Sequence, residues 1–86
     1  MKYFYVYVLK RKKKDFVYVG LTNNLRKRFG EHNHKEELST KHYAPFDLIF
    51  YEAYSKKTDA QRREKYLKTT KGKTTLRSML REALAK

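Results

Sequence analysis

Two short segments rich in aromatic and β-branched residues most constrain the fold of this chain. Residues 3–9 read Tyr-Phe-Tyr-Val-Tyr-Val-Leu, and residues 16–20 read Phe-Val-Tyr-Val-Gly. These residue types fit the pleated surface of a β-sheet better than a helix. A basic run separates the two segments, so we predict an antiparallel hairpin. Pairing that is symmetric about Lys12 and Lys13 would place Tyr7 opposite Tyr18 and Leu9 opposite Phe16.

A helix, a loop and a third strand are predicted to follow the hairpin. The Thr-Asn-Asn sequence at 22–24 offers side-chain oxygens that cap helix starts, which predicts a helix from there to about His34. The stretch 31–43 is polar and rich in His, Lys and Glu, and a proline follows it, which predicts a surface loop. Residues 47–54 contain Leu-Ile-Phe-Tyr and predict a third strand.

Two further helices are predicted to complete the fold. Thr58 and Gln61 fit a capping box, and Gly72 fits the left-handed residue that follows a helix end, which predicts a helix over 59–70. A last helix from about Thr75 would carry one apolar stripe: Leu76, Met79, Leu80, Ala83 and Leu84. The order of elements predicts an α+β fold, with a small three-stranded antiparallel sheet flanked by helices in a single domain over residues 1–86.

Charge and length limit the function. The 86 residues include 22 Lys and Arg against 9 Asp and Glu, a formal net charge of +13. A chain this short buries only about 60% of its unfolded surface, which disfavours a large enzyme with a deep cofactor cleft. The absence of Cys excludes disulfides and a thiolate zinc site, and no apolar run approaches the roughly 20 residues that span a bilayer. We expect a cytoplasmic protein, without membrane attachment, that binds nucleic acid.

One carboxylate occupies an unexpected position. Ala60, Glu64 and Leu67 follow the i, i+4, i+7 stripe that faces the protein interior, where a carboxylate is costly unless a cation or Arg compensates it. Together with Tyr7, Tyr18, Arg28 and His32, Glu64 offers the residue types that suit phosphodiester hydrolysis. A carboxylate holds a divalent cation alongside water and phosphate, an Arg stabilises developing charge, and a Tyr or His takes the proton of attacking water.

Residue type and spacing alone leave structural interpretations open. Tyr7 and Tyr18 are also consistent with ordinary cross-strand partners, Arg28 with a solvated helix residue, and His32 with a surface or boundary residue. A metal site built from the three histidines is disfavoured, because His32 and His34 point to different sides of a helix.

The order of these residues resembles the GIY-YIG nuclease superfamily. Residues 5–7 (Tyr-Val-Tyr) and 18–20 (Tyr-Val-Gly) stand where that superfamily has its two motif triplets, and Arg28, His32 and Glu64 follow in the same order. The resemblance covers residues 3–68 and is strongest to small stand-alone members. It implies a three-stranded antiparallel sheet with flanking helices and DNA cleavage with one divalent metal, Mg²⁺ or Mn²⁺.

The resemblance also implies a role for each residue. Tyr7 is the favoured general base, with Tyr18 as the alternative, and Arg28 contacts the scissile phosphate. His32 positions groups or assists proton transfer, and Glu64 is the metal ligand. The implied activity is that of a metal-dependent DNA endonuclease, structure-selective or weakly sequence-specific because no separate base-reading module is attached. Predicted contacts to the nucleic-acid backbone are Lys12, Lys13, Lys14, Lys27 and Arg63.

The sequence departs from the superfamily pattern in two places. Tyr5 stands where the first triplet has Gly, and residues 74–78 lack the Asn that many members carry after the metal-binding Glu. The second departure favours the alternative of a non-catalytic nucleic-acid-binding module that keeps the fold. RNA is a further candidate partner, through stacking on exposed aromatics, and targeting could depend on a homodimer or a partner protein.

Overall fold

The computed structural model describes residues 2–12, 16–35 and 43–85. These residues form, in chain order, β1 (Phe4–Arg11), β2 (Val17–Thr22), α1 (Leu25–Asn33), β3 (Phe46–Tyr54), α2 (Lys57–Leu67) and α3 (Thr70–Met79). The strands make an antiparallel sheet in the order β2-β1-β3, with the Tyr-rich N-terminal strand at its centre. The predicted α+β class with a three-stranded antiparallel sheet is confirmed.

Helices cover both faces of the sheet, which explains why the central strand is apolar on both sides. On one face, Val6 and Val8 pack with residues of α2 and α3, including Leu67 and Leu76. On the other face, Tyr7, Leu9 and Phe46 of the sheet pack with Leu25 and Phe29 of α1. Successive side chains of a strand point to opposite faces, so β1 supplies both cores. A strand that is buried on both faces needs large side chains on each.

The predicted hairpin register is wrong by two residues. Tyr7 pairs with Gly20 and Leu9 pairs with Tyr18, rather than with Tyr18 and Phe16. A shift of two residues leaves every side chain on the same face of the sheet, so the alternation of residue types in the sequence could not detect it. The contact between the Tyr7 ring and Gly20, described below, accounts for the observed register.

The predicted start of α1 is confirmed, and its cap is Asn24. The Asn24 side chain accepts a hydrogen bond from the Lys27 backbone N–H at 3.1 Å. The helix ends at Asn33, close to the predicted end, so the first three residues of the predicted loop over 31–43 are helical. Residues 36–42 of that loop lie outside the described residues.

The boundaries predicted for the last two helices are wrong. Helix α2 begins at Lys57 and ends at Leu67, and Thr58 lies inside it instead of capping it. Gly72 does not end a helix, since it lies in α3, which begins at Thr70 with Thr69 as its cap and ends at Met79. The predicted apolar stripe is only partly buried, because Leu76 is enclosed but Met79 is 43% exposed.

A half-buried ion pair joins α2 to the sheet. The Arg63 guanidinium donates two hydrogen bonds to the Glu52 carboxylate of β3, at 3.0 and 3.2 Å, and the Tyr54 hydroxyl donates a third at 2.8 Å. The hydrogen bond to Glu52 raises the pKa of Arg63.

Burial, followed by the hydrogen bond to Glu52, raises the pKa of Tyr54 above its ordinary value of 10.0. The folded protein therefore binds the Tyr54 proton more tightly than the unfolded chain does. This contribution to stability is present below pH 10.0 and is lost as the pH rises through the folded-state pKa.

We expect Glu52→Gln to lower the free energy of unfolding by about 1–3 kcal/mol, because it leaves the half-buried Arg63 without its charge partner. Urea unfolding followed by circular dichroism measures the change. Asp47→Asn is the matched control, since Asp47 pairs with Lys12 at the surface and such pairs contribute only about 0–1 kcal/mol. An equal effect of both substitutions would contradict a structural role for the Glu52 cluster.

Candidate active site

A buried tyrosine-histidine pair lies between β1 and α1. The Tyr7 hydroxyl and His32 Nε2 share a hydrogen bond of 2.8 Å, and neither residue has exposed surface. Burying two polar groups is costly unless they bond to each other, and here they do. His32 is thus a core residue. The non-catalytic interpretation of the sequence had placed it at the surface or at the boundary of the core.

Tyr18 completes an aromatic cluster around His32. Its ring centroid lies 5.0 Å from that of His32 and 6.2 Å from that of Tyr7. The Phe46 and His32 rings make a T-shaped contact, with their centroids 6.1 Å apart. Tyr18 differs from Tyr7 in being only partly buried. The structure therefore brings three of the predicted site residues, Tyr7, Tyr18 and His32, into one cluster with a solvent-accessible member.

Gly20 leaves the space that the Tyr7 ring occupies. A Cβ atom at Gly20 would collide with Cζ and the hydroxyl of Tyr7 and would lie 2.8 Å from its Cε1. Because Gly20 is also the cross-strand partner of Tyr7, the second triplet needs a residue without a side chain at this position.

We expect Gly20→Ala to destabilise the protein by about 1–3 kcal/mol, because the added methyl overpacks the site and pushes Tyr7 away from His32. Thermal unfolding measures the stability, and the NMR signals of the His32 ring report the hydrogen bond. Gly30→Ala is the control, since a Cβ there meets no atom of the described residues within 4 Å. A neutral Gly20→Ala variant with unchanged His32 signals would contradict this packing.

Arg28 and Glu64 come from different helices, and each has an ion partner. Arg28 lies one turn before His32 on α1, and its Nε is 2.9 Å from Glu31 Oε1. Glu64 lies on α2, which packs on the opposite face of the sheet, and its Oε2 accepts a hydrogen bond from Lys68 Nζ at 3.2 Å. The Glu64 side chain is 23% exposed, so the predicted inward stripe of α2 is buried at Ala60 and Leu67 and half-open at the carboxylate.

Two charged partners in the site were missed by the sequence interpretation. Glu31 lies three residues after Arg28, and Lys68 lies four residues after Glu64. Both are ordinary ion-pair spacings on a helix, and this signal was available in the sequence.

The predicted backbone-binding residues have different surroundings. Lys27 is exposed on α1, and Lys12 is exposed but paired with Asp47. Arg63 forms an ion pair with Glu52, and its guanidinium also lies over the Tyr66 ring, 5.7 Å from the ring centroid. Lys13 and Lys14 lie outside the described residues.

The residues of the site fit an oxygen-liganded cation such as Mg²⁺ or Mn²⁺ better than a zinc site closed by several His and Cys ligands. Nowhere in residues 2–12, 16–35 and 43–85 do three or more His, Cys, Asp or Glu side chains group as a metal site would require. One half-buried carboxylate such as Glu64 is, however, the usual protein contribution to Mg²⁺ at phosphoryl-transfer sites, where water and substrate phosphate complete the shell.

Most of this chain matches a known protein family. Residues 3–77 match the family model of the GIY-YIG catalytic domain, and this range contains all the residues of the cluster together with Arg28 and Glu64. The chain belongs to the GIY-YIG family. Membership places it in a superfamily of nucleases, whose substrates are nucleic acids. Among the described residues, no helix is long and apolar enough to cross a membrane.

Relatives of this GIY-YIG chain are UPF0213 proteins. That of Clostridium perfringens is 42% identical over 65 residues, which make up 74% of this chain and 69% of the relative. That of Staphylococcus haemolyticus is 39% identical over 66 residues, or 76% and 79% of the two chains. The solution NMR structure of a UPF0213 protein from Bacillus halodurans is 30% identical, with a TM-score of 0.55 over 92% of this chain and 85% of that one.

Proposed function

We propose that this protein is a metal-dependent endonuclease that hydrolyses phosphodiester bonds in DNA. The observation that carries the proposal is the Tyr7–His32 hydrogen bond with Tyr18 beside it, on the sheet face that α1 covers. A net charge of +13 supplies the attraction to a polyanion. On duplex DNA, the logarithm of the affinity should then fall with log salt by about 0.9 for each phosphate neutralised.

Arg28 is the group proposed to contact the scissile phosphate. Its guanidinium stabilises the negative charge that develops on the non-bridging oxygens during attack by water. The Arg28–Glu31 pair is part-exposed, and exposed ion pairs contribute only about 0–1 kcal/mol, so exchanging Glu31 for a phosphate costs little.

The different burial of Tyr7 and Tyr18 supports a different role for each residue. A general base must lie within hydrogen-bond reach of the water whose proton it takes. Tyr7 has no exposed surface, whereas Tyr18 is partly exposed. In the proposed mechanism Tyr18 orients the attacking water and accepts its proton while the phenol proton of Tyr18 passes to a phosphate oxygen of the substrate. The water oxygen bonds to phosphorus as the bond from phosphorus to one ester oxygen breaks, and that leaving oxygen takes up the proton. The Tyr7–His32 pair positions the Tyr18 ring, although the resemblance favoured Tyr7 as the base.

Glu64 is the residue proposed to hold Mg²⁺ or Mn²⁺, together with water and a phosphate oxygen of the substrate. The bound cation supplies positive charge that stabilises the phosphate oxygens as negative charge develops on them. Lys68, the present partner of Glu64, is then free to turn to solvent or to a neighbouring phosphate.

The test is a cleavage time course on supercoiled plasmid and on labelled branched, flapped and linear DNAs, with Mg²⁺, Mn²⁺ or EDTA. We expect metal-dependent cleavage by the wild type and a rate at least about 100-fold lower for Arg28→Ala. Arg26→Ala is the matched control, because Arg26 lies on the same helix and is exposed, and it should stay within a few-fold of the wild type. Equal rates for the two Arg variants would refute the role of Arg28.

A second candidate function is nucleic-acid binding without turnover. It is favoured by residues 74–78, which lack the Asn that many members carry after the metal-binding Glu. This candidate predicts that the wild type binds the same DNAs and cleaves none of them with either metal. The cleavage time course therefore separates the two functions, and the branched and flapped substrates report any structure selectivity.

A further inference from the structure

A groove of about 520 Å³ runs between β2 and the helices α2 and α3. Its floor is apolar: Val19, Leu67 and Leu76 are buried beneath it, and Phe16, Val17 and Leu84 present exposed apolar surface to it. Strand β2 is at the edge of the described sheet, so its outer side borders the groove without a neighbouring strand. The groove is therefore a surface that an extended ligand can enter.

The rim of the groove carries three cations, Lys68, Lys73 and Arg77. All three are exposed, and none of the described residues that line the groove is acidic. Lys73 and Arg77 lie four residues apart on α3, where like charges repel and destabilise the helix slightly. An anion bound between them would remove that repulsion. The positive charge of the rim thus favours a negatively charged ligand.

The groove adjoins the proposed catalytic residues at two points. Tyr18 lines it from β2, and Lys68 lines it from the end of α2, where its side chain reaches Glu64. Because the Tyr18 ring packs toward α1 on the other face, a strand in the groove would meet Tyr18 at the edge of the sheet and Glu64 through Lys68.

We propose that this groove binds a single-stranded segment of nucleic acid that flanks the scissile bond. The proposal rests on the proposed function and adds the path of the substrate to it. Lys68, Lys73 and Arg77 bind consecutive phosphates, and an unpaired base and its sugar pack on the apolar floor. Duplex offers phosphates but keeps its base faces stacked inside the helix, so an apolar floor favours a segment without a pairing partner. Arg77 lies within the segment that lacks the superfamily Asn, and here it provides a phosphate contact.

The test is the affinity of the full chain for a fluorescent single-stranded oligonucleotide and for a hairpin duplex, measured by anisotropy in EDTA. For Lys73→Ala/Arg77→Ala, we expect the Kd for the single strand to rise at least about tenfold, with a smaller rise for the duplex. The salt dependence should also weaken, by about 0.7 in log–log slope for each phosphate that the variant no longer neutralises. Thermal unfolding confirms that the variant is folded.

The control removes the same charge elsewhere. Lys56→Ala/Lys57→Ala changes two exposed residues at the start of α2, outside the groove lining, and should change the Kd less than about threefold. An equal loss in both double variants would overturn the proposal, because net charge alone would explain it. Displacement of the oligonucleotide by polyglutamate of the same length and concentration would overturn it too, since an acidic peptide would then be an equal occupant.

Binding in EDTA is independent of turnover, so the two proposals can fail separately. Suppose that Lys73→Ala/Arg77→Ala loses single-strand binding and the wild type does not cleave DNA. This result would support the binding role of the groove and refute the endonuclease activity. Metal-dependent cleavage by the wild type, together with unchanged binding by the double variant, would refute only the binding role of the groove.

Discussion

Glu64→Ala is expected to lower the rate of metal-dependent DNA cleavage by at least about 100-fold, the scale on which loss of one group that stabilises transition-state charge acts. The physical reason is the position of the carboxylate. It is 23% exposed, on a helix stripe that is otherwise buried at Ala60 and Leu67, and its present partner is a lysine. Glu64→Gln keeps the volume and removes the charge, so it should lose activity to nearly the same extent.

Two controls separate loss of chemistry from loss of fold. Glu82→Ala removes a carboxylate from the exposed turn after α3 and should leave the cleavage rate within a few-fold of the wild type. Glu64→Gln should still bind DNA in EDTA, and its melting temperature should change little, because Lys68 in this i,i+4 pair is solvent-exposed and such helix pairs are worth only about 0.3–0.5 kcal/mol. Cleavage by Glu64→Gln at the wild-type rate would remove Glu64 from the mechanism.

Gly72→Ala is expected to destabilise the protein by about 3 kcal/mol, which corresponds to a drop of about 15 °C in melting temperature for a domain of this size. A Cβ at Gly72 would collide with the Tyr66 carbonyl oxygen and lie 2.6 Å from the Leu67 Cα. Both atoms are backbone at the end of α2, so no side chain can turn aside to relieve the contact. The start of α3 packs against the end of α2 only because residue 72 lacks a side chain.

The control for Gly72→Ala is the same substitution at the other helical glycine. Gly30→Ala fills open space on α1 and should stabilise the protein by about 0.5–1 kcal/mol, because Ala favours helix over Gly. Opposite signs for the two variants in thermal unfolding are the expected result. A stabilising Gly72→Ala would contradict the close approach of α2 and α3.

Local patterns in the sequence were sufficient to predict most elements of the fold. The Tyr-rich segment became β1, the Thr-Asn-Asn sequence gave α1 its Asn24 cap, and residues 46–54 formed the third strand. Local patterns did not predict the role of a residue whose type is set by a contact with another helix or strand. Gly72 has the residue type of a helix end, but the structure uses it for close packing of two helices.

The candidate site divides in the same way. Residue order was enough to select Tyr7, Tyr18, Arg28, His32 and Glu64, since the family motif is a linear pattern. It did not reveal that His32 is buried and bonded to Tyr7, because the two residues are 25 positions apart and the helix around His32 is polar. Nor did it reveal the groove, whose lining comes from β2, α2 and α3.

By itself, the sequence determined the number and order of the strands and helices, the alternation of side chains along each strand, and membership of the GIY-YIG family. These depend on periodicity and order, which are properties of neighbouring residues. Only the tertiary structure decided the hairpin register, the burial of the Tyr7–His32 pair and the ion partner of Arg63. Each of these depends on which atoms meet across elements. A register shift of two residues, for example, leaves the alternation pattern unchanged, and the space above Gly20 for the Tyr7 ring selects one register.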